Sequence, residues 1–290
     1  MPNPRLLYRI GSDAGFFSEY NNMVLAMVYC QRNNIRFLLS SKGANFAYDK
    51  GWDDYFLPFC RELNLYHQTM MNPRYEAPLP TTGKREKIKR CMFALQKKLW
   101  RIDLLTYDIF HDVRKQYVDD NLIDACREIS NRIWQYNKQT QDAIKQRIRT
   151  LSLPDTYVSV HIRRGDKARE TAHTDIDKYI SLIETNTDCR NVFVATDDYS
   201  VYEELCSRYT EWNFFTLTPP DNRGYDQRTF EAFSAEHRRD EMLTLFSDIE
   251  LLAASSLFVG TLSSNIGMYL YWRMPQGRCL GVDYNDWRIW

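Results

Sequence analysis

From Leu153 onward short β-branched and aromatic runs alternate with stretches of helical spacing, and this alternation limits the chain to a parallel α/β sheet. The runs predict strands over 157–162, 192–195, 213–216, 257–260 and 279–282. Helices are predicted between them, near 175–186, 199–209, 240–255 and 264–272. Parallel strands need crossover connections, and the intervening segments are long enough to supply them. The amino-terminal end repeats the theme, with a strand at Leu6–Ile10, a turn at Gly11 and Gly15, a helix over about 17–31 and a second strand over 35–39. Its two glycines lack the GxGxxG spacing, and no acidic residue closes the second strand, which argues against a dinucleotide-dependent oxidoreductase.

Residues 41–150 are harder to read. Trp52 to Cys60 mixes aromatics with acids, and Pro73, Pro78 and Pro80 mark irregular chain. Over 84–101, Ile88, Met92, Leu95 and Leu99 recur at three- and four-residue intervals among many Lys and Arg, which predicts an amphipathic basic helix. Such a helix either packs on its apolar stripe, the more ordinary outcome, or docks on anionic lipid or a charged glycan as a peripheral membrane contact. Residues 121–148 read as one long helix linking two halves, with Leu122, Ile129, Ile133, Trp134 and Ile144 as packing positions. The expected organisation is a Rossmann-like and helical region over 1–150 on the acceptor side and a Rossmann-like donor domain over 151–290.

With 38 Lys and Arg balanced by 38 Asp and Glu, bulk charge predicts no nucleic-acid partner, so anion binding must come from local patches. The seven cysteines are odd in number and irregularly spaced, and read as reduced thiols. No apolar run of about 18 residues occurs. The chain opens directly into a strand-like segment, without signal peptide or transmembrane segment, and the expectation is a soluble, cytoplasmic protein.

The chemistry concentrates where strand 157–162 ends. Arg163 and Arg164 leave the strand there, followed by Asp166 and Lys167, at the sheet edge where open α/β folds bind ligands. Paired guanidinium groups suit a diphosphate and can neutralise the charge that develops as a nucleoside diphosphate departs. Arg164-Gly165-Asp166 is also an adhesion tripeptide, but its position against an apolar strand argues against that use. Ser263, Ser264 and Asn265 stand between a strand and a helix start, where hydroxyl and N–H groups favour an anion or, more simply, cap the helix. Asp197 and Asp198 form an acidic pair without the DxD spacing of metal-dependent sugar transfer. The loop Pro219–Arg239 carries Arg223, Arg228, Arg238 and Arg239 and is either a lid or solvated chain.

The segment His161-Ile-Arg-Arg-Gly-Asp-Lys167 resembles the HxRRxDK signature of the α1,6-fucosyltransferase superfamily, which includes the nodulation fucosyltransferases and, more distantly, the protein O-fucosyltransferases. Val194-Ala-Thr-Asp-Asp198, then Asp248 with Phe258-Val-Gly-Thr-Leu-Ser-Ser-Asn265, resemble the family's later blocks in the same order. The resemblance is clear over about 155–285 and faint elsewhere, through Gly15 to Glu19. It implies a GT-B-like fold of two Rossmann-like halves with a helical linking region. It further implies an inverting, metal-independent transfer of fucose from GDP-fucose to a glycan hydroxyl, without a cofactor. By the resemblance, Arg163 contacts the β-phosphate, Ser264 and Asn265 touch the diphosphate, Asp248 and His161 flank the base, and Asp198 joins the donor-binding set. The family has Gln where this chain has Asn265.

An inverting transfer needs a base for the acceptor proton. Aligning on Tyr179 with one deletion makes Glu170 the family's catalytic carboxylate. Asp166 competes for the role, although its position between Arg164 and Lys167 favours the ionised form and suits it to positioning. Lys167 would face sugar or phosphate. The partners implied are a nucleotide-sugar donor and an oligosaccharide or glycoconjugate acceptor. The same fold using another nucleotide sugar such as UDP-xylose, or a non-catalytic nucleotide-sugar-binding protein, are the alternatives.

Overall fold

The computed structural model describes residues 3–12, 14–66, 83–106, 108–109, 121–164, 174–224 and 227–285. The chain divides into two units, Met1–Asn137 and Lys138–Trp290. The expected α/β class holds, since each unit is built on a parallel sheet.

In the first unit β1 (Arg5–Arg9) lies between β2 (Arg36–Ser40) and β3 (Leu104–Leu105), parallel to both. Helix α1 (Phe16–Arg32) crosses from β1 to β2 and is buried nearly all round, through Phe16, Phe17, Tyr20, Met23, Val24 and Met27 among others. A helix buried on nearly every side belongs in a core, and its few polar groups there, Glu19 and Asn21, are buried with it. Helix α2 (Lys84–Trp100) touches the body through Phe93, which joins Leu7, Leu38, Leu63, Leu65, Ile102 and Leu105 in one cluster. Its periodic stripe points the other way: Ile88, Met92, Leu95 and Leu99 are exposed. The expectation that α2 packs on this stripe therefore fails, because the contact comes from the opposite side, through Phe93, with Gln96 accepting the Tyr66 N–H at 2.9 Å and the Arg61 guanidinium lying over the Trp100 ring.

The helix expected over 121–148 is two helices, α3 (Leu122–Ile133) and α4 (Lys138–Arg149). The break falls where Trp134 leaves helical geometry, at φ −80 and ψ 67. From there the backbone pairs elsewhere: Leu57 N–H donates to Gln135 O at 2.7 Å and Asn137 N–H to Tyr55 O at 3.0 Å. The aromatics explain the choice. Trp134 packs edge-on to Tyr20 and Phe56, and Tyr136 stacks on Phe56 at 5.1 Å between ring centroids. Each such pair adds about 1 kcal/mol beyond simple area burial, enough to outweigh one missing helical turn. The acidic and aromatic stretch after residue 51 feeds the same core, with Trp52, Tyr55 and Phe56 buried. Asp54, also buried, accepts the N–H groups of Tyr48, Asp49, Lys50 and Gly51.

In the second unit five parallel strands run in the order β6-β5-β4-β7-β8. They are β4 (Val158–Ile162), β5 (Asn191–Thr196), β6 (Asn213–Phe215), β7 (Phe258–Gly260) and β8 (Cys279–Gly281). Helices α5 (Ile176–Asn186), α6 (Tyr199–Arg208), α7 (Gln227–Ala232), α8 (Ala235–Ala254) and α9 (Asn265–Arg273) connect them. Every residue of β4 is buried, as a central parallel strand requires. Alternate β4 side chains serve different faces. Val158, Val160 and Ile162 pack with Ile176, Ile180 and Ile183 of α5 and with Val201 and Leu205 of α6. On the other face Ser159 bonds to α8 and its cap, through Leu252 O at 3.3 Å and Ser255 Oγ at 2.8 Å. Helix α4 packs along α8, where Arg147 pairs with Asp240.

Candidate functional site

Strand β4 opens the second sheet. The chain then builds β5 and β6 to one side and returns to place β7 and β8 on the other, so the direction reverses between β4 and β7. At such a switch point the loops after the two strands diverge and leave a crevice at their carboxyl ends, where open α/β sheets take ligands. Arg163 and Arg164 follow β4, and Thr261 to Ser264 follow β7. Two of the segments singled out in the sequence thus meet at one sheet edge.

Both cations are held by Asp197, the residue after β5. Its Oδ1 accepts the backbone N–H of Arg164 at 2.7 Å, and its Oδ2 lies 3.8 Å from Nε of Arg163. The Arg163 side chain is 29% exposed and that of Asp197 15%, so the pair is partly desolvated while the guanidinium still reaches solvent. A neighbouring carboxylate held in this way orients a guanidinium without neutralising a whole anion site. Asp198 serves the adjacent helix. Its Oδ1 accepts the Ser200 N–H at 2.9 Å and so caps α6.

The loop after β7 is braced from below. Asp283, just beyond β8, accepts the N–H groups of Leu262 at 2.7 Å and Ser263 at 3.0 Å. Ser264 is buried and caps α9: its Oγ accepts the Gly267 N–H at 2.9 Å and donates to Thr261 O at 2.8 Å. Gly267 allows this close return, since a Cβ there would stand 2.1 Å from Thr261 O. Ser263 and Asn265 are half-buried at the same turn.

Asp248 approaches from α8. Because α8 runs into the start of β7, it lies antiparallel to the strands, and the Ser159 contact with Leu252 fixes its height. His161 is two residues, ~6.6 Å, further along β4, and Asp248 one helical turn, ~6 Å, further back along α8. The two therefore stand at one level toward the carboxyl edge. His161 is buried. Asp248 is half-buried as a residue, yet its Oδ1 is sealed from solvent and has no hydrogen-bond partner among the described residues. Burial, with Glu241 as a second cause, holds its carboxyl well above the usual carboxylate range. Glu241, two turns nearer the helix start, is itself raised by burial, and His237 at 3.5 Å partly offsets this. An acceptor oxygen without a donor among the described residues, beside a strand end bearing two cations, suits a ligand with N–H donors at one end and negative charge at the other.

Asp166, Lys167 and Glu170 lie outside the described residues, and so does part of the Pro219–Arg239 loop. Sequence reasoning placed Asp197 only in an acidic pair and passed over Asp283 and Glu241. The available signal was an Asp one or two residues beyond a predicted strand, which both Asp197 and Asp283 satisfy.

The glycine turn of the first unit is differently made. Glu19, buried in α1, accepts the N–H groups of Gly11, of Ser12 at 2.8 Å and of Ala14 at 3.2 Å, and the Ser12 hydroxyl at 3.1 Å. Donors that could cradle a phosphate are thus taken by the protein's own carboxylate.

The family model described as Alpha-(1,6)-fucosyltransferase N- and catalytic domains matches residues 5–276. The chain belongs to the α-(1,6)-fucosyltransferase family. The α-(1,6)-fucosyltransferase of Drosophila melanogaster is 21% identical over an alignment of 281 residues that covers 92% of this chain and 43% of the relative. The chain thus spans less than half the length of that relative. Among solved structures, the fucosyltransferase NodZ from Bradyrhizobium superposes with a TM-score of 0.58 at 13% identity, over 95% of this chain and 94% of its own. POFUT1 in complex with GDP-fucose superposes with a TM-score of 0.56 at 9% identity, over 99% of both chains. A NodZ crystal soaked with GDP-fucose gives 0.58 at 14% identity, over 94% of both chains. These likenesses establish a shared fold across nearly the whole of this fucosyltransferase-family chain.

Proposed function

We propose that the protein is an inverting glycosyltransferase that moves fucose from GDP-fucose to a glycan hydroxyl without a metal ion. The observation that carries the reading is the pairing of Asp248 Oδ1, sealed and unpartnered among the described residues, with Arg163 and Arg164 at the end of the central strand. Guanine presents N1–H and N2–H₂ to a single carboxylate, and its diphosphate needs fixed cations. Family membership and the GDP-fucose complexes of NodZ and POFUT1 support the same donor.

As the glycosidic bond to phosphate lengthens, negative charge grows on the β-phosphate. A guanidinium already oriented by Asp197 stabilises that charge without reorganising, so Arg163 contributes most where the charge is greatest. Arg164 serves the same diphosphate, and the capped start of α9, with Ser263, Ser264 and Asn265, presents a helix N-terminus to it. Arginine neutralisation takes the place of a metal in this scheme, and both Asp197 oxygens already face cationic or N–H partners. The acceptor hydroxyl must lose a proton as it attacks, a task the family resemblance gives to Glu170, with Asp166 and Lys167 as neighbours.

Calorimetric titration with GDP and with UDP, each with and without Mg²⁺, tests the proposal. Metal-independent binding of GDP that weakens roughly thirtyfold or more in Arg163→Ala is expected, the loss of a charged hydrogen bond of about 2 kcal/mol. Preference for UDP would overturn the donor, and GDP binding without transfer from GDP-fucose to any glycan acceptor would leave a nucleotide-sugar-binding protein.

A further inference from the structure

Helix α2 is turned inside out relative to an ordinary surface helix. At 100° per residue, its less exposed positions Glu86, Lys89, Phe93, Gln96 and Lys97 fall on one side, centred on Phe93. Ile88, Met92, Leu95 and Leu99 fall about 130° away, with relative exposures of 60%, 44%, 58% and 70%. Four large apolar side chains in line, uncovered among the described residues, form a contiguous stripe of the kind that marks a docking surface.

The charge around the stripe identifies what it fits. Lys84, Lys87 and Lys98 flank one side of it and Arg85 the other. The helix as a whole holds seven Lys and Arg against the single carboxylate of Glu86, in a chain whose total of 38 Lys and Arg only equals its 38 Asp and Glu. A second copy of the chain docking through the same stripe would bring two such cationic rims together, and like charges oppose that contact. A polyanionic glycan would satisfy the rim and leave the apolar stripe in water. A lipid surface, with anionic groups above an apolar layer, satisfies both.

We propose that α2 is an interfacial anchor that lies in the plane of an anionic lipid surface, with Ile88, Met92, Leu95 and Leu99 in the acyl boundary and the flanking Lys and Arg among the headgroups. Phe93 then fixes the helix to its own unit. This inference does not depend on the identity of the donor.

Co-sedimentation of the full chain with vesicles tests it, using phosphatidylcholine alone and phosphatidylcholine containing phosphatidylserine. Binding to the anionic vesicles alone is expected, weaker at high salt. Leu95→Asp combined with Leu99→Asp should reduce it about a hundredfold or more, since two exposed leucines lose their transfer into the boundary. Lys87→Gln combined with Lys98→Gln should reduce it roughly thirtyfold. All four positions are exposed, so the thermal midpoint should not change. A polarity-sensitive dye on the exposed Cys91, in a Cys206→Ser background, should shift to the blue with anionic vesicles. Three outcomes overturn the proposal: no binding to anionic vesicles, binding that survives the aspartates as attachment to a sulfated glycan would, or a concentration-dependent dimer that the aspartates abolish.

Discussion

Asp197 Oδ1 accepts the backbone N–H of Arg164 at 2.7 Å while Oδ2 faces Nε of Arg163 at 3.8 Å, so one carboxylate at the end of β5 sets the positions of both cations at the end of β4. The short bond is to the backbone, and the longer one leaves the guanidinium able to serve another anion. Asp197→Ala should therefore weaken GDP binding about tenfold, the cost of one charge-assisted hydrogen bond and the misplacement that follows. Asp197→Asn should recover most of this loss, because its amide oxygen still accepts from Arg164. Calorimetric affinities for the two variants check the ordering; equal losses would show that charge, rather than position, is what Asp197 supplies.

Asp248 should link donor binding to pH. Burial, and then Glu241, raise its folded pKa above the unfolded value. Its contribution to stability is therefore complete at pH values below the ordinary carboxylate range and is lost as pH rises through the raised folded pKa. Guanine donors favour the ionised carboxylate, so GDP should bind more tightly as pH rises through that same window and release a proton as it binds. Titrations in buffers of different ionisation enthalpy measure the proton directly. Asp248→Asn should abolish the pH dependence and most of the binding, and its thermal midpoint relative to the wild type should climb with pH.

Glu19 is the amino-terminal counterpart of these buried acids, with three backbone N–H groups directed at its carboxylate. Removing the acceptor would leave buried donors unsatisfied at about 1–3 kcal/mol each. Glu19→Ala is expected to destabilise the protein by about 3 kcal/mol or more in urea unfolding, and Glu19→Gln by less, since one oxygen remains. Added phosphate should not stabilise the wild type through this turn, because the cradle is already filled.

The second sheet is legible in the sequence because its strands are short apolar runs and its helices carry an apolar face, and most boundaries fall within a residue or two of expectation. Helix α8 begins earlier than its apolar pattern suggests: Ser234 Oγ accepts the His237 N–H at 3.2 Å and starts the helix in a charged stretch without periodicity. In the first unit the reading fails for a different reason. Trp52, Phe56, Trp134 and Tyr136 assemble a core from a turn and an interhelix break, where neither strand nor helix period applies. At the site the cations could be read from residue type, because their chemistry lies in the side chain, whereas Asp248 is reached through the family resemblance. Asp197 and Asp283 act on backbone N–H groups 33 and about 20 residues away, partners that only the turn geometry identifies.

Gly267 offers the sharpest test of how the site's floor is built. The hydroxyl of Ser264 reaches both the Gly267 N–H and Thr261 O only because the first turn of α9 sits directly on the carbonyl that ends the loop. A methyl group there would lie 2.1 Å from that oxygen and 2.9 Å from its carbon, and both are backbone atoms that a rotamer change cannot move. The helix start or the loop must shift instead, at a cost of about 1–3 kcal/mol. Gly267→Ala should accordingly lower stability by that amount in urea unfolding, despite the better helix propensity of Ala. It should also weaken GDP binding, since the displaced turn carries Ser263 and Asn265. An alanine variant as stable as the wild type would mean that α9 is not held against Thr261 in solution.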